Sequence, residues 1–236
     1  MTVNTSSAPA STTALPSEDV HESFRHRALD EFARQFDSSQ RSSMSPAKRR
    51  VLEAFLKLCV SHGMDSVSMR DLAKELDIKA PSIYTHFAGG RDEIISESMR
   101  WHYHQFCQAL LDAVDTAADA SEFWDAMVRL HFTRQVQLPE SDLWDLIAAT
   151  DRTAHVLPAE LSAKVTAWVD AYEALYVSAA LDMGIADTAR RVKMVMTVLE
   201  GSSRWFGSEH SSRRAVKAGA DQAVLVTRRI LELPIT

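Results

Sequence analysis

The 236 residues contain only two cysteines, Cys59 and Cys107, and no C-x-x-C pair. Both fall in apolar helical patterns, which predicts buried thiols in a reducing compartment rather than a disulfide. Glycine and proline are scarce, seven of each, and stand mainly between periodic stretches, so few positions interrupt regular structure. No run of about 18 apolar residues occurs, which excludes a membrane-spanning helix of the usual kind. Residues 1–16 are rich in Ser, Thr and Ala, without a basic start or an apolar stretch. They do not read as a secretory signal, and the cytoplasm is the expected compartment. The sequence also lacks G-x-G-x-x-G, a Walker loop, H-E-x-x-H and G-x-S-x-G. His21-Glu22 is followed by Arg25 rather than by a second ligand histidine, His102 and His104 point to opposite sides of a helix, and no i,i+4 histidine pair exists. No enzyme, cofactor or metal site is therefore expected.

What is present is mostly helical rhythm. The net charge is -6, but its distribution is uneven. Residues 40–100 carry ten Lys/Arg against eight Asp/Glu, whereas the segments on either side are acidic. The one basic segment includes Lys48-Arg49-Arg50. Residues 1–17 are too poor in large apolar groups to offset their ordering entropy and are expected to be unstructured. A leading helix is predicted over 18–36, followed by a polar linker over 38–45. Apolar spacing then predicts helices over 46–62, 68–76, 80–86, 91–115, 121–137, 140–150, 158–183, 186–206 and 212–233. The fold class is all-α. The expected division is a tail, extra helix and linker over 1–45, a three-helix unit over 46–91, and a larger helical body over 92–236.

The three short helices carry the clearest signal. The first places Val51, Leu52, Phe55, Leu58 and Cys59 on one stripe and stops at His62-Gly63. The second opens after Ser68, whose hydroxyl can cap free amides, and buries Leu72, Ala73 and Leu76. Asp77 takes the turn, and Ile78 is expected to point inward and pin the angle between helices. The third starts near Ala80-Pro81, directs Ile83 and Phe87 inward, and leaves Lys79, Ser82, Thr85 and His86 outward. A short helix with a small, polar outer face, packed across another by a tight turn, fits the major groove of DNA. The stretch from Ser68 to Phe87, ending Ile-Tyr-Thr-His-Phe and continued by Ala-Gly-Gly-Arg-Asp-Glu-Ile94, resembles the tetracycline-repressor (TetR) family of bacterial regulators. Two positions depart from the usual pattern: Asp77 replaces the turn glycine, and Lys79 replaces the Ser or Thr that opens the recognition helix. The resemblance implies a helix-turn-helix domain in which Tyr84 and Arg91 contact phosphate and His86 contacts backbone or caps. Lys79, Ser82 and Thr85 are candidates for base or phosphate contact, Lys48 for the flanking backbone, and Ser68 joins this DNA-binding set.

The resemblance further implies a ligand-binding and dimerisation body. Its last two helices would pair with their copies, and the stripe Ala215, Gly219, Ala223, Val226, Ile230 starts small enough for close helix approach. Aromatic residues are frequent in the body, and His102 and His131 each fall on an apolar stripe. His102, Phe106, Trp124, His131, Trp168 and Tyr172 are the candidate ligand-binding residues. Asp142 and Asp145 are expected to be solvated on a surface helix. The function implied is a homodimeric regulator of a pseudo-palindromic operator in double-stranded DNA, released by a small apolar or aromatic effector, without membrane attachment. Repression is the leading reading. Activation, or constitutive architectural DNA binding without an effector, remains open.

Overall fold

The structure, a computed structural model, describes residues 23–39, 44–155, 157–207 and 212–234. The expected unstructured tail and the middle of the expected linker lie outside these residues. Among the described residues the chain is helical throughout, with no strand. Helix α1 (Phe24–Ser39) leads, and α2 (Pro46–His62), α3 (Met69–Glu75) and α4 (Ala80–Tyr84) form the three-helix unit. A long α5 (Gly90–Val114) joins it to α6 (Ala120–Gln137), α7 (Pro139–Ala154), α8 (Ala159–Asp182), α9 (Thr188–Glu200), α10 (Ser202–Phe206) and α11 (Arg213–Glu232). The single helix expected over 186–206 is broken at Gly201, which separates α9 from α10.

Local chemistry sets these boundaries. Ser45 accepts a hydrogen bond from the Lys48 amide (3.2 Å) and Pro46 takes the first turn of α2. Ser68 and Asp71 form a reciprocal capping box at α3: the Ser68 hydroxyl accepts from the Asp71 amide (3.2 Å), and the Ser68 amide donates to the Asp71 carboxylate (3.0 Å). Asp77 adopts φ 53°, the left-handed turn conformation usually left to glycine. Ile78 does not point inward: its side chain is exposed, and its amide closes the turn on the Ala73 carbonyl (3.0 Å). The backbone bond fixes the interhelical angle, and no buried side chain is needed there.

Two apolar cores result. One belongs to the body, with Trp124, Phe132, Leu175 and Tyr176 at its centre. The other fills the three-helix unit but does not stop at its edge, running on through Trp144, Ile147, Leu161 and Val165 of α7 and α8. The leading helix belongs to the body core, where Phe32 and Phe36 are buried. Its first amides, those of Phe24 and Arg25, donate to the Asp182 carboxylate at the end of α8 (2.9 and 3.1 Å). Burial pushes the Asp182 pKa up, but these amides together with hydrogen bonds from the Ser23 and Arg25 side chains outweigh it and hold the group below its usual range. Asp182 thus caps a helix about 157 residues away in sequence.

Gly219 and Ala223 do not face outward. Both are buried against the protein's own core, and a Cβ on Gly219 would lie 2.5 Å from the rings of both Phe132 and Phe206. The small residues of α11 therefore admit α6 and α10 of the same chain. Its exposed apolar side chains are Leu225 and Val226 instead.

Candidate nucleic-acid interface and ligand cavity

The outer face of α4 is polar, small and solvated. Lys79, Ser82, Tyr84 and Thr85 are exposed and His86 is half-buried, while Ile83 and Phe87 are fully buried beneath them. Lys79 stands at the N-cap without a capping side-chain bond, which leaves its ammonium free of the helix end. The Thr85 hydroxyl donates to the Ser82 carbonyl (2.7 Å), so it faces outward with only its lone pairs open. Lys48 crosses from α2 with its ammonium 5.1 Å from the centre of the Phe87 ring. Beside it, Arg49 and Arg50 are exposed. Tyr84 leans over the start of α5: a Cβ on Gly90 (φ 65°) would lie 3.3 Å from its ring.

Two residues of the expected DNA-binding set, Arg91 and Ser68, also have partners within the chain. Arg91 donates to the Met64 carbonyl (2.7 Å) and the Val67 carbonyl (3.4 Å), tying down the loop between α2 and α3. One edge of its guanidinium is thus held within the chain, with Asp65 3.7 Å from the same Nη2. At the start of α5, the N-cap Gly89 amide donates to the Glu93 carboxylate (2.8 Å) and the Gly90 amide to the Phe87 carbonyl (2.9 Å). Ser68 spends its hydroxyl on the capping box.

A cavity of about 150 Å³ lies between α5, α6, α7, α8 and α9. Five of the six expected ligand residues line it: His102, Phe106, His131, Trp168 and Tyr172. Trp124 does not. It is fully buried in the body core, its indole N–H donating to the Thr227 hydroxyl (3.3 Å) and its ring edge-on to Tyr176. The walls are largely aromatic. Trp168 stacks on Tyr103 at 4.3 Å, and Phe106 meets Tyr172 edge-on at 4.7 Å. The Tyr172 hydroxyl lies 3.1 Å from His131 Nδ1 and 3.2 Å from the Tyr176 hydroxyl, a buried polar chain behind the wall.

The cavity also holds groups that the sequence reading placed elsewhere or passed over. Burial takes the pKa of His131 down to about 4, and burial together with the Arg134 charge takes that of His102 down to about 3, so both imidazoles are neutral. Asp145 is half-buried rather than fully solvated. It lines the cavity, accepts from the Gln135 amide (2.7 Å), and has its pKa pushed up to about 7 by burial and by the Glu200 and Asp142 charges. Arg134 and Trp144 are among the other lining residues outside the expected six. Arg134 stands three residues after His131, the helical spacing of one face, which was a readable signal. For Asp145 the sequence offered none, since its surroundings come from α6 and α9.

Residues 51–97 match the family model of bacterial regulatory proteins, tetR family. This segment is a tetR-family domain. The structural likenesses reach further along the chain. A tetR-family regulatory protein from Rhodococcus RHA1 superposes with a TM-score of 0.66 at 15% identity, covering 79% of this chain and 98% of that one. The ketosteroid transcriptional regulator KstR2 of Mycobacterium tuberculosis gives 0.65 at 16%, covering 79% and 96%. AibR, solved with isovaleryl coenzyme A and operator DNA, gives 0.62 at 18%, covering 76% and 96%. At these identities the likeness is one of fold. No curated protein matches the chain.

The cavity sits on the seam between the tetR-family domain and the body. Trp144 and Val165 line it and also belong to the core that fills the tetR-family domain, and Trp168 packs against both cores. Helix α5 crosses the seam. It starts under Tyr84, and His102, about 18 Å along its axis, lines the cavity. No helix among the described residues is long and apolar enough to cross a membrane.

Proposed function

We propose that the chain is a ligand-responsive transcriptional regulator, a repressor that binds a pseudo-palindromic operator as a homodimer and is released by a small, largely apolar molecule. The observation that carries this reading is the position of the cavity, on the seam between the two cores and against the helix that begins beneath the recognition helix. A ligand that fits better when α5 is displaced shifts the separation of the two recognition helices, which must match a turn of B-DNA. By linkage the ligand weakens operator binding only by its preference for the displaced state, and a 100-fold loss requires about 2.7 kcal/mol. Lys79, Ser82, Tyr84 and Thr85 meet the DNA, with Lys48, Arg49 and Arg50 on flanking phosphates. The dimer face is supplied by exposed apolar residues of α9 and α11, Met194, Leu225 and Val226.

Selection of genomic DNA on the purified protein tests the reading. An inverted repeat is expected, with affinity falling steeply as salt rises. Lys48→Ala should weaken all sequences alike and reduce the salt slope by about one ion, whereas Ser82→Ala alters preference between sequences. Recovery of DNA without any inverted repeat would remove the regulator reading. Leu225→Asp is expected to give monomers in sedimentation, and a dimer that survives it would place the interface elsewhere.

A further inference from the structure

Two N–H donors of cavity-lining residues lack acceptors among the described residues. Arg134 projects from α6 with its guanidinium 5.7 Å from the centre of the Phe106 ring, and its buried Nε has no acceptor among the described residues. Nor does its side chain form an ion pair within 4.0 Å there. The Trp144 indole N–H, in a side chain 6% exposed, is also buried without an acceptor. These two donors belong to one region. The rings of Trp144 and His102 lie 5.7 Å apart, and the Arg134 charge acts on the same His102. Arg134 is half-buried, but its Nε–H and the Trp144 N–H are buried without acceptors, each worth about 1–3 kcal/mol, so the site is complementary to an acceptor that carries negative charge.

Glu140 acts on Arg134 by its charge but makes no ion pair with it within 4.0 Å, and the carboxylates of the wall are engaged elsewhere. Asp145 is bound to Gln135, and Glu200 faces the charge of Arg152, which partly offsets the upward push of burial on its pKa. Their presence sets the ligand's charge. A dianionic phosphate would be repelled by these two acids, whereas a single carboxylate matches the planar guanidinium with two oxygens. Phe106, Trp168, Val165 and Met99 supply apolar wall, and about 150 Å³ is the size of cavity that holds one benzene ring.

We propose that this cavity takes a monocarboxylate on a single-ring apolar or aromatic body, its carboxylate held by Arg134 and the Trp144 N–H and its ring between Phe106 and Trp168. The proposal rests on the reading of the cavity as the effector site and names the chemical class of that effector.

The test is calorimetric titration of the full chain at pH 8 with benzoate and phenylacetate, set against benzamide and benzylamine. The carboxylates are expected to bind at least about 10-fold more tightly than the amide, and the amine more weakly still. Arg134→Gln should bring the carboxylates down to the level of the amide while leaving benzamide unchanged. Trp144→Phe keeps the ring, removes the donor and should weaken the carboxylates several-fold. If Arg134→Gln fails to fold, the wild-type ligand series and Trp144→Phe still decide. Tighter binding of benzylamine, equal binding of benzamide, no binding of any probe, or carboxylate affinity unmoved by both substitutions would each overturn the proposal. Operator affinity measured in the same samples separates this outcome from the fate of the regulator reading. Release by neutral compounds alone would sink the carboxylate site and spare the switch. Carboxylate binding that leaves operator affinity unchanged would sink the switch and spare the site.

Discussion

Replacing Gly219 by alanine isolates what the small residues of α11 are for. In a helix interior the change is favourable by about 1 kcal/mol, because alanine loses less backbone entropy. Against this stands the added methyl, which would lie 2.5 Å from Phe132 Cζ, 2.5 Å from Phe206 Cε2 and 2.8 Å from Phe206 Cδ2. Phe132 has little room to retreat: it is fully buried, edge-on to Phe206 at 5.1 Å and tilted against Trp205 at 5.3 Å. Overpacking costs about 1–3 kcal/mol, and contacts this short on two rings place it at about 2–3, so a net loss of about 1–2 kcal/mol is expected. For a chain of this size that lowers Tm by ~2–8 °C. Thermal unfolding of Gly219→Ala measures the net effect. Ala218→Gly, at the exposed neighbouring position on the same helix, measures the propensity contribution alone. Sedimentation should show an unchanged oligomeric state. A Gly219→Ala protein as stable as the parent, or one that dissociates, would refute the placement of Gly219 against the chain's own core.

Three further outcomes follow from buried or committed charges. Arg91→Ala removes the two carbonyl contacts that hold the loop after α2 and should destabilise the tetR-family domain by about 1–2 kcal/mol, seen as faster amide exchange over 63–68; unaltered exchange there would return Arg91 to a surface role. Arg191 is buried and donates to the Ala186 carbonyl (3.0 Å) and the Ile230 carbonyl (3.1 Å), tying the end of α11 to the start of α9, so Arg191→Met should cost about 2–3 kcal/mol in denaturant unfolding; a loss below 1 kcal/mol would show that water replaces those bonds. Asp145 has a folded pKa of about 7 against 3.8, so its contribution is fully present below pH 3.8 and is lost as pH rises through 7. Facing Glu200, Asp142 and Gln135, Asp145→Asn should raise stability by about 1–2 kcal/mol at pH 8, after discounting for water at the cavity, and by nearly nothing at pH 4; equal gains at both values would contradict the burial of its charge.

Local chemistry made much of this protein legible from its sequence. Apolar spacing, the Ser45 and Ser68 caps, Pro46 and Pro81, and the turn at Asp77 are near-neighbour effects, and they set out an all-α chain with a helix-turn-helix unit and an outward-facing Lys79, Ser82 and Thr85. His102, Phe106, His131, Trp168 and Tyr172 were identifiable because polar or aromatic groups on apolar helical stripes stand out within one helix. What depended on partners from distant segments was not legible. Trp124 and Trp168 carry the same kind of signal, yet Thr227 and Tyr176 enclose one in the core while the other lines the cavity. Gly219 and Ala223 advertise close helix approach without saying which helix comes close, and the answer was Phe132 and Phe206 of the same chain. Arg91 found carbonyls of a loop more than twenty residues earlier, and Asp145 found Gln135 across a helix junction. Periodicity tells which face of a helix is buried. What it is buried against, and therefore whether a charge there is solvated, bonded or left waiting for a ligand, is a property of packing between segments that only the tertiary structure brings together.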